Sequence, residues 1–323
     1  MPPRRSLPPR LRAVTSLKIL FYGTPEFALP TLEALLGRHE VVAVVTQPDR
    51  PAHRGQRLTP PRVKLCAQAA GLTVLQPPRL RDPGWPERLA GFGADVGVVI
   101  AFGQILSRAV LDAPARGSIN VHASLLPRYR GAAPIAWAIM RGEQETGITT
   151  FQMDEGMDTG AMLLTASTPI GPEETAGELA GRLATLGAGV LIDTLARLDT
   201  LTPMPQRHAE ATMAPRLKKT DGAIDWTRPA REITDRIRGC NPWPGASAGT
   251  SAGPLLIWRA RPIESATAAE PGTLVEAGAT LAVATGEGLV LPVEVQPESR
   301  RAVAWADFLR GARLGVGARL SAP

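Results

Sequence analysis

The chain has 323 residues, 44% of them apolar, and a formal net charge of +6. That length exceeds one ordinary domain, and that apolar content supports sizeable cores, which excludes wholesale disorder. No apolar run approaches the roughly eighteen uninterrupted residues a bilayer span needs, so no membrane partner is expected.

Lysine occurs only at 18, 64, 218 and 219, so the positive charge is almost all arginine. In a chain rich in Ala, Gly and Pro, part of this is compositional bias. The rest favours an anionic partner, nucleic acid or a phosphorylated ligand. Cys66 and Cys240 form neither a disulfide framework nor a Cys-x-x-Cys site, and no His-Glu-x-x-His occurs. Two ordinary thiols in a reducing cytoplasm, and no metal, are expected.

Residues 1–16, "MPPRRSLPPRLRAVTS", are basic and proline-rich. They lack the apolar core of a secretory signal, and their prolines oppose an amphipathic transit helix. A disordered tail, or a start codon placed too early, is expected. Lys18–Tyr22 then reads as a short buried strand, Gly23 as a turn, Thr24 as a helix cap and Pro25 as a first helical position. Phe27, Leu29, Leu32, Leu35 and Leu36 recur near helical spacing, and Val41–Thr46 is a second strand. The alternation continues with a helix near Val63–Ala70, a strand at "LTVLQ", a helix near Trp85–Phe92, a strand over Asp95–Phe102, a helix near Ile105–Leu111 and a strand "SINVHA". Such alternation argues for a parallel sheet covered by helices.

A nicotinamide-binding protein would share that alternation. The first turn opposes it, having one glycine rather than Gly-x-Gly-x-x-Gly, with Glu26 where a pyrophosphate would sit. In the "SINVHA" strand, Asn120 and His122 are two residues apart, so their side chains share one face at the carboxyl end of a strand. They either finish the strand as locally satisfied polar groups or together hold a carbonyl oxygen that becomes an oxyanion. Downstream, "FQMDEGMDTGAML" sets Asp154, Glu155 and Asp158 among glycines. It is either a solvated turn or a loop that brings a carboxylate to the histidine.

After Leu201 the texture becomes polar and proline-containing, and 202–216 reads as a linker. Beyond it come a helix over Pro229–Arg238, an "NPWPG" turn, and short strands "LLIWRA", "GTLVEA", "LAVATG" and "GLVLPVEV". These predict a small barrel or sandwich over 217–323. Ser247 and Ser251 both match Gly-x-Ser-x-Gly, but Pro-Trp-Pro precedes them, a strand follows, and all four histidines lie upstream. A nucleophile elbow needs the reverse arrangement, so this is a turn.

The stretches "NVHASLLPRYRGAAPI" and "GITTFQMDEGMDTGAML" resemble the folate-dependent formyltransferases. "FYGTPEFALPTLEALL", "TQPDRPAHRGQRLTPPRVK", "IDWTRPAREITDRIRGCNPWPG" and "PGTL" resemble the branch acting on methionyl-tRNA, and the likeness runs from Leu17 onward. Tyr129 stands where that branch commonly has tryptophan, and the basic tail is additional. The resemblance implies an α/β fold: a Rossmann-like, mostly parallel sheet domain over 17–201, then a small OB-like β-barrel over 217–323 that binds tRNA. It places a catalytic trio on Asn120, His122 and Asp158, and folate contacts on Ser124, Leu125, Leu126 and Pro127. It implies transfer of a formyl group from 10-formyltetrahydrofolate to the α-amino group of methionyl initiator tRNA, without a metal; separately, a monomer is expected. The insertion carrying Arg50, Arg54, Arg57, Arg62 and Lys64 would meet the tRNA acceptor end, with Arg216, Lys218 and Lys219 adding a second basic surface. The insertion's prolines, glycine and like charges disfavour a packed free conformation. A formyltransferase for a glycinamide ribonucleotide or an amino sugar would share the trio but need neither basic surface. A non-catalytic nucleic-acid binder would explain only the charge.

Overall fold

The structure, a computed structural model, describes residues 16–52 and 57–323. Residues 1–15 of the basic tail and Arg54 lie outside the described residues, and of Arg57 only the backbone is described. By compactness the chain divides into a unit running through Ile119 and including Leu191–Leu201, and a second unit of Asn120–Val190 with Thr202–Pro323.

The first unit holds β1 (Lys18–Gly23), α1 (Leu29–Leu36), β2 (Glu40–Val45), β3 (Arg50–Ala52), β4 (Arg57–Thr59), α2 (Arg62–Ala69), β5 (Val74–Leu75), α3 (Trp85–Ala90), β6 (Val96–Ile100) and α4 (Arg108–Leu111). Its strands run β5-β2-β1-β6, and each neighbouring pair is parallel. All five residues of β6 are buried, as are Ile19 to Tyr22, which is why these segments read as continuous apolar runs. Thr24 does not cap a helix. Pro25 leads a short 3-10 turn without a side-chain cap. The Thr24 hydroxyl instead donates to the Phe102 carbonyl at 3.0 Å and accepts from the Gln47 amide at 3.3 Å, tying three strand ends together. The basic insertion is not irregular where it is described, because β3 and β4 pair antiparallel from Arg50↔Thr59 to Ala52↔Arg57.

The second unit begins with β7 (Ser118–His122), whose last three residues belong to it, followed by α5 (Pro134–Met140), β8 (Glu145–Gln152), β9 (Met162–Pro169) and α6 (Ala176–Ala196). The strand order is β7-β8-β9, with β8 and β9 antiparallel. Gly187 of α6 lies so close beneath β7 that a methyl group there would sit 3.0 Å from Val121 Cγ1. Val121 thus faces the helix, and Asn120 and His122 face away from it. By length and composition α6 could cross a membrane, yet half of its apolar window is buried in protein. Leu179, Leu183 and Leu191 are wholly buried, which marks it as a core helix.

The unit continues with α7 (Ala230–Gly239), β10 (Ala246–Thr250), β11 (Gly253–Ile263), β12 (Leu274–Ala277), β13 (Thr280–Ala284), β14 (Leu289–Pro297), β15 (Val303–Ala304) and α8 (Trp305–Ala312). The strands run β10-β11-β14-β13-β12, all antiparallel, with β15 on β14. The chain's last residues close the two edges. Ser321 exchanges backbone hydrogen bonds with Gly249 beside β10, while Leu320 donates to Gly272 and Leu274 to Ala318 beside β12. The expected barrel is therefore closed by a terminal segment that does not read as a strand. Trp305, Phe308, Ile257 and Val295 are among its core residues.

Helix α7 packs against α5. A methyl on Gly239 would collide with Met140 and lie 2.9 Å from the Ala136 carbonyl oxygen, so only glycine admits this approach. Arg238, 6% exposed, pairs with Asp235 at 2.6 Å and donates to the carbonyls of Gly171 and Glu174. A buried charge satisfied at this many points is a specific joint between α7 and the loop preceding α6.

Candidate active site

His122 ends β7 with 7% of its side chain exposed. Its Nε2 lies 2.9 Å from the Tyr129 carbonyl oxygen. A carbonyl only accepts, so Nε2 carries a hydrogen, and Nδ1 is the ring nitrogen left to exchange a proton. Nδ1 faces Asp158 Oδ2 at 3.7 Å, beyond hydrogen-bond length but within reach of a small closing movement. Phe151 meets the imidazole edge-on, with centroids 6.4 Å apart. Asn120 is half-buried on the same face, and its carboxamide makes no hydrogen bond among the described residues. The two are where strand alternation puts them, and Asn120 is free to donate to a ligand oxygen.

Asp158 sits at φ 53°, left-handed backbone that a non-glycine residue adopts only under external restraint. Its Oδ2 accepts the Gly131 amide at 2.7 Å, and its carbonyl accepts the Gln206 side-chain amide at 2.8 Å. Asp154 has a different task. It accepts the Gly156 amide and the Thr159 hydroxyl, folding the loop on itself. Glu155 is exposed. Of the three acids, only Asp158 is brought to the histidine.

The segment Ser124–Pro127 is fixed by β8. Thr149 Oγ1 donates to the Ser124 carbonyl at 2.7 Å and accepts the Leu126 amide at 3.1 Å. The Ser124 hydroxyl donates to the Arg128 carbonyl at 2.6 Å. Ser124 and Leu126 point inward, whereas Leu125 and Pro127 are partly exposed. A flat heterocycle at this segment would therefore meet Leu125, Pro127 and backbone, not the serine hydroxyl. Among the described residues no cluster of His, Cys, Asp and Glu is placed to hold a metal.

Tyr129, at φ 61°, turns its carbonyl onto His122 and donates its hydroxyl to Glu143 at 2.6 Å. Burial, and then that hydrogen bond, pushes the phenol up to about 12, so it remains a neutral donor. The sequence carries no sign of this carbonyl, nor of Gly131 as a donor, nor of Gln206. The stretch read as a linker runs along the loop after β7. Thr212 Oγ1 accepts the Tyr129 amide, the Thr212 carbonyl accepts the Arg130 amide, the Ala214 amide donates to the Arg130 carbonyl, and Met204 exchanges two backbone bonds with Met162.

The basic residues divide. Lys64 Nζ contacts both Asp49 oxygens at 2.8 Å, and Gln76 donates to the same carboxylate at 2.7 Å. Gln76 first, and then Lys64, hold that carboxyl below the usual range. Lys64 is thus engaged in an ion pair, while Arg62, Lys218 and Lys219 are exposed.

Comparison with known proteins gives a consistent result. The formyl transferase family model matches residues 17–195, and the model of the formyl transferase C-terminal domain matches residues 216–313. The chain is 50% identical over 307 residues to methionyl-tRNA formyltransferase from Solibacter usitatus, covering 94% of this chain and 98% of that one. It is 51% identical over 307 residues to methionyl-tRNA formyltransferase from Sorangium cellulosum, covering 93% and 98%. An N-formyltransferase from Helicobacter canadensis, solved with folinic acid and dTDP-3-aminofucose, shares the fold with a TM-score of 0.64 at 18% identity, covering 85% and 98%. With both family models matched in order along nearly its whole length, the chain belongs to the formyl transferase family.

Proposed function

We propose that this protein formylates the α-amino group of methionyl initiator tRNA, using 10-formyltetrahydrofolate, in the cytoplasm and as a monomer. The observation that carries the reading is the approach of Asp158 to His122, two residues along β7 from Asn120, in a chain about half identical to methionyl-tRNA formyltransferases along almost its full length. 10-Formyltetrahydrofolate supplies the formyl group, and Leu125, Pro127 and the backbone of 124–127 are the groups that would hold it. Asn120 donates its carboxamide N–H to the formyl oxygen as the amine attacks and negative charge builds there. His122, with Nε2 anchored on Tyr129, exchanges a proton through Nδ1. Asp158 takes the proton released by the attacking amine, and the balance is restored when a proton reaches the departing nitrogen.

The domains follow the same reading, with catalysis in 17–201 and tRNA binding in 217–323. The basic insertion would add affinity through phosphates at the acceptor end, with Arg54, Arg57 and Arg62 as the contacts. Lys64 would act through Asp49, by holding the base of the insertion. Arg54→Leu is expected to lower kcat/KM for methionyl-tRNA about tenfold, roughly the loss of one charged contact. Folate binding, followed by calorimetry, should not change. Normal kinetics in that variant would leave the insertion with no part in tRNA recognition.

The overall assignment is tested with labelled 10-formyltetrahydrofolate offered to methionyl initiator tRNA, methionyl elongator tRNA and glycinamide ribonucleotide in parallel. Label is expected mainly on the initiator tRNA. Label appearing mainly on the ribonucleotide would sink the assignment.

A further inference from the structure

Arg130 is an arginine in an unusual setting. It is 6% exposed, and among the described residues it makes no ion pair with a carboxylate. Its Nε and Nη2 both donate to one oxygen, Gln206 Oε1, at 3.0 and 2.6 Å. Nη2 also lies 3.2 Å from His208 Nδ1, which must accept. Burying a guanidinium against a neutral amide is costly, so the arrangement calls for a reason beyond packing.

The amide's other end shows that reason. A guanidinium has no lone pair, so Gln206 cannot present its NH₂ group to Arg130, and the flip of the amide is fixed chemically. Both amide hydrogens must then point the other way. There Nε2 donates to the carbonyls of Asp158 and Gly160, each at 2.8 Å. The cation at Oε1 polarises the amide and strengthens both donors. Arg130 also precedes Gly131, whose N–H holds the Asp158 carboxylate. A closed circuit results: carboxylate, Gly131, Arg130, Gln206 and back to the Asp158 carbonyl. It grips Asp158 at both ends and holds it in the left-handed conformation that aims Oδ2 at His122.

We propose that Gln206, with its flip set by Arg130, is a positioning residue for Asp158, so that the strap formed by residues 202–216, which reads in the sequence as a linker, is part of the catalytic apparatus. The inference rests on the reading of Asp158 as the proton-accepting group. A misplacement of about 1 Å costs up to ~10²-fold in rate, which sets the expected size of the effect. Gln206→Ala should lower kcat about 10- to 100-fold and leave both KM values within about twofold. Gln206→Glu keeps the acceptor for Arg130 and the side-chain volume but loses both amide donors. It should stay folded and be impaired in kcat like the alanine variant, which serves if the alanine variant does not fold.

The deciding measurement is a double-mutant cycle on kcat with Asp158→Asn. If Gln206 acts through Asp158, either Gln206 variant costs less than about twofold more once Asp158 is asparagine. Equal losses in both backgrounds, wild-type kcat in Gln206→Glu, or an effect confined to melting temperature or KM overturns the inference. Asp158→Asn alone separates the two failures. If it turns over normally, the reading of Asp158 falls and this inference with it. If it is impaired while Gln206 remains additive, only the positioning role falls.

Discussion

His122→Ala is expected to lower turnover by ~10²–10⁴-fold, the usual loss when a positioned acid or base is removed. The residue lies on the face of β7 opposite Val121, and the strand's backbone pairing does not depend on its side chain. What the substitution leaves behind is an unpaired Tyr129 carbonyl and a small void against Phe151. That should destabilise the protein by roughly 1–3 kcal/mol, which a folded domain of this size survives. Asp158→Asn is the sharper companion because it is isosteric. Its carbonyl can still accept the Gly131 amide, so the loop stays in place while the group can no longer take a proton. Stopped-flow or discontinuous formyl transfer, with thermal melts alongside, separates the two effects. Near-wild-type turnover with an unchanged melt in either variant removes that residue from the mechanism.

These residues were legible in the sequence to different depths, for physical reasons. Strand alternation alone paired Asn120 with His122, because a period of two is imposed by backbone geometry. Asp158 came from family resemblance, since nothing local separates it from Asp154 in a glycine-rich acidic loop. Only tertiary contacts reveal that Asp154 bonds within its own loop while Asp158 is held from outside. Gln206 carries no periodic signal at all. It is the one buried side chain between Thr202 and Glu210, in a stretch whose composition reads as solvated. The Tyr129 carbonyl is backbone, and side-chain pattern does not register which way a carbonyl points. Thr24 misled for a related reason. Its place before Pro25 fits a cap, yet its hydroxyl is spent across the strand ends. The barrel strands were visible through alternation, whereas the closure by Gly317–Ser321 was not, because backbone bonds to Gly272, Leu274 and Gly249 make it.

Gly131→Ala should be the most damaging small substitution in the molecule's active loop. Gly131 sits at φ 121°, where a side chain costs about 1–3 kcal/mol in backbone strain. A methyl there would also lie 2.6 Å from the Ala214 carbonyl oxygen. That oxygen cannot swing aside as a side-chain tip would, because Ala214 is bonded to Arg130 through its amide and to Ala133 through this carbonyl. Relief requires the strap and the loop to part, and the Gly131 N–H that holds Asp158 moves with them. The expected result is a melting temperature lower by several degrees, together with at least a tenfold loss of turnover in the folded fraction. Gly181→Ala in α6 is the contrast. Nothing lies within 4 Å of its added methyl, so replacing a mid-helix glycine should stabilise by up to ~1 kcal/mol and leave turnover unchanged. If Gly131→Ala melts and turns over like the wild type, the close approach of strap to loop is not maintained in solution, and the grip on Asp158 must come from elsewhere.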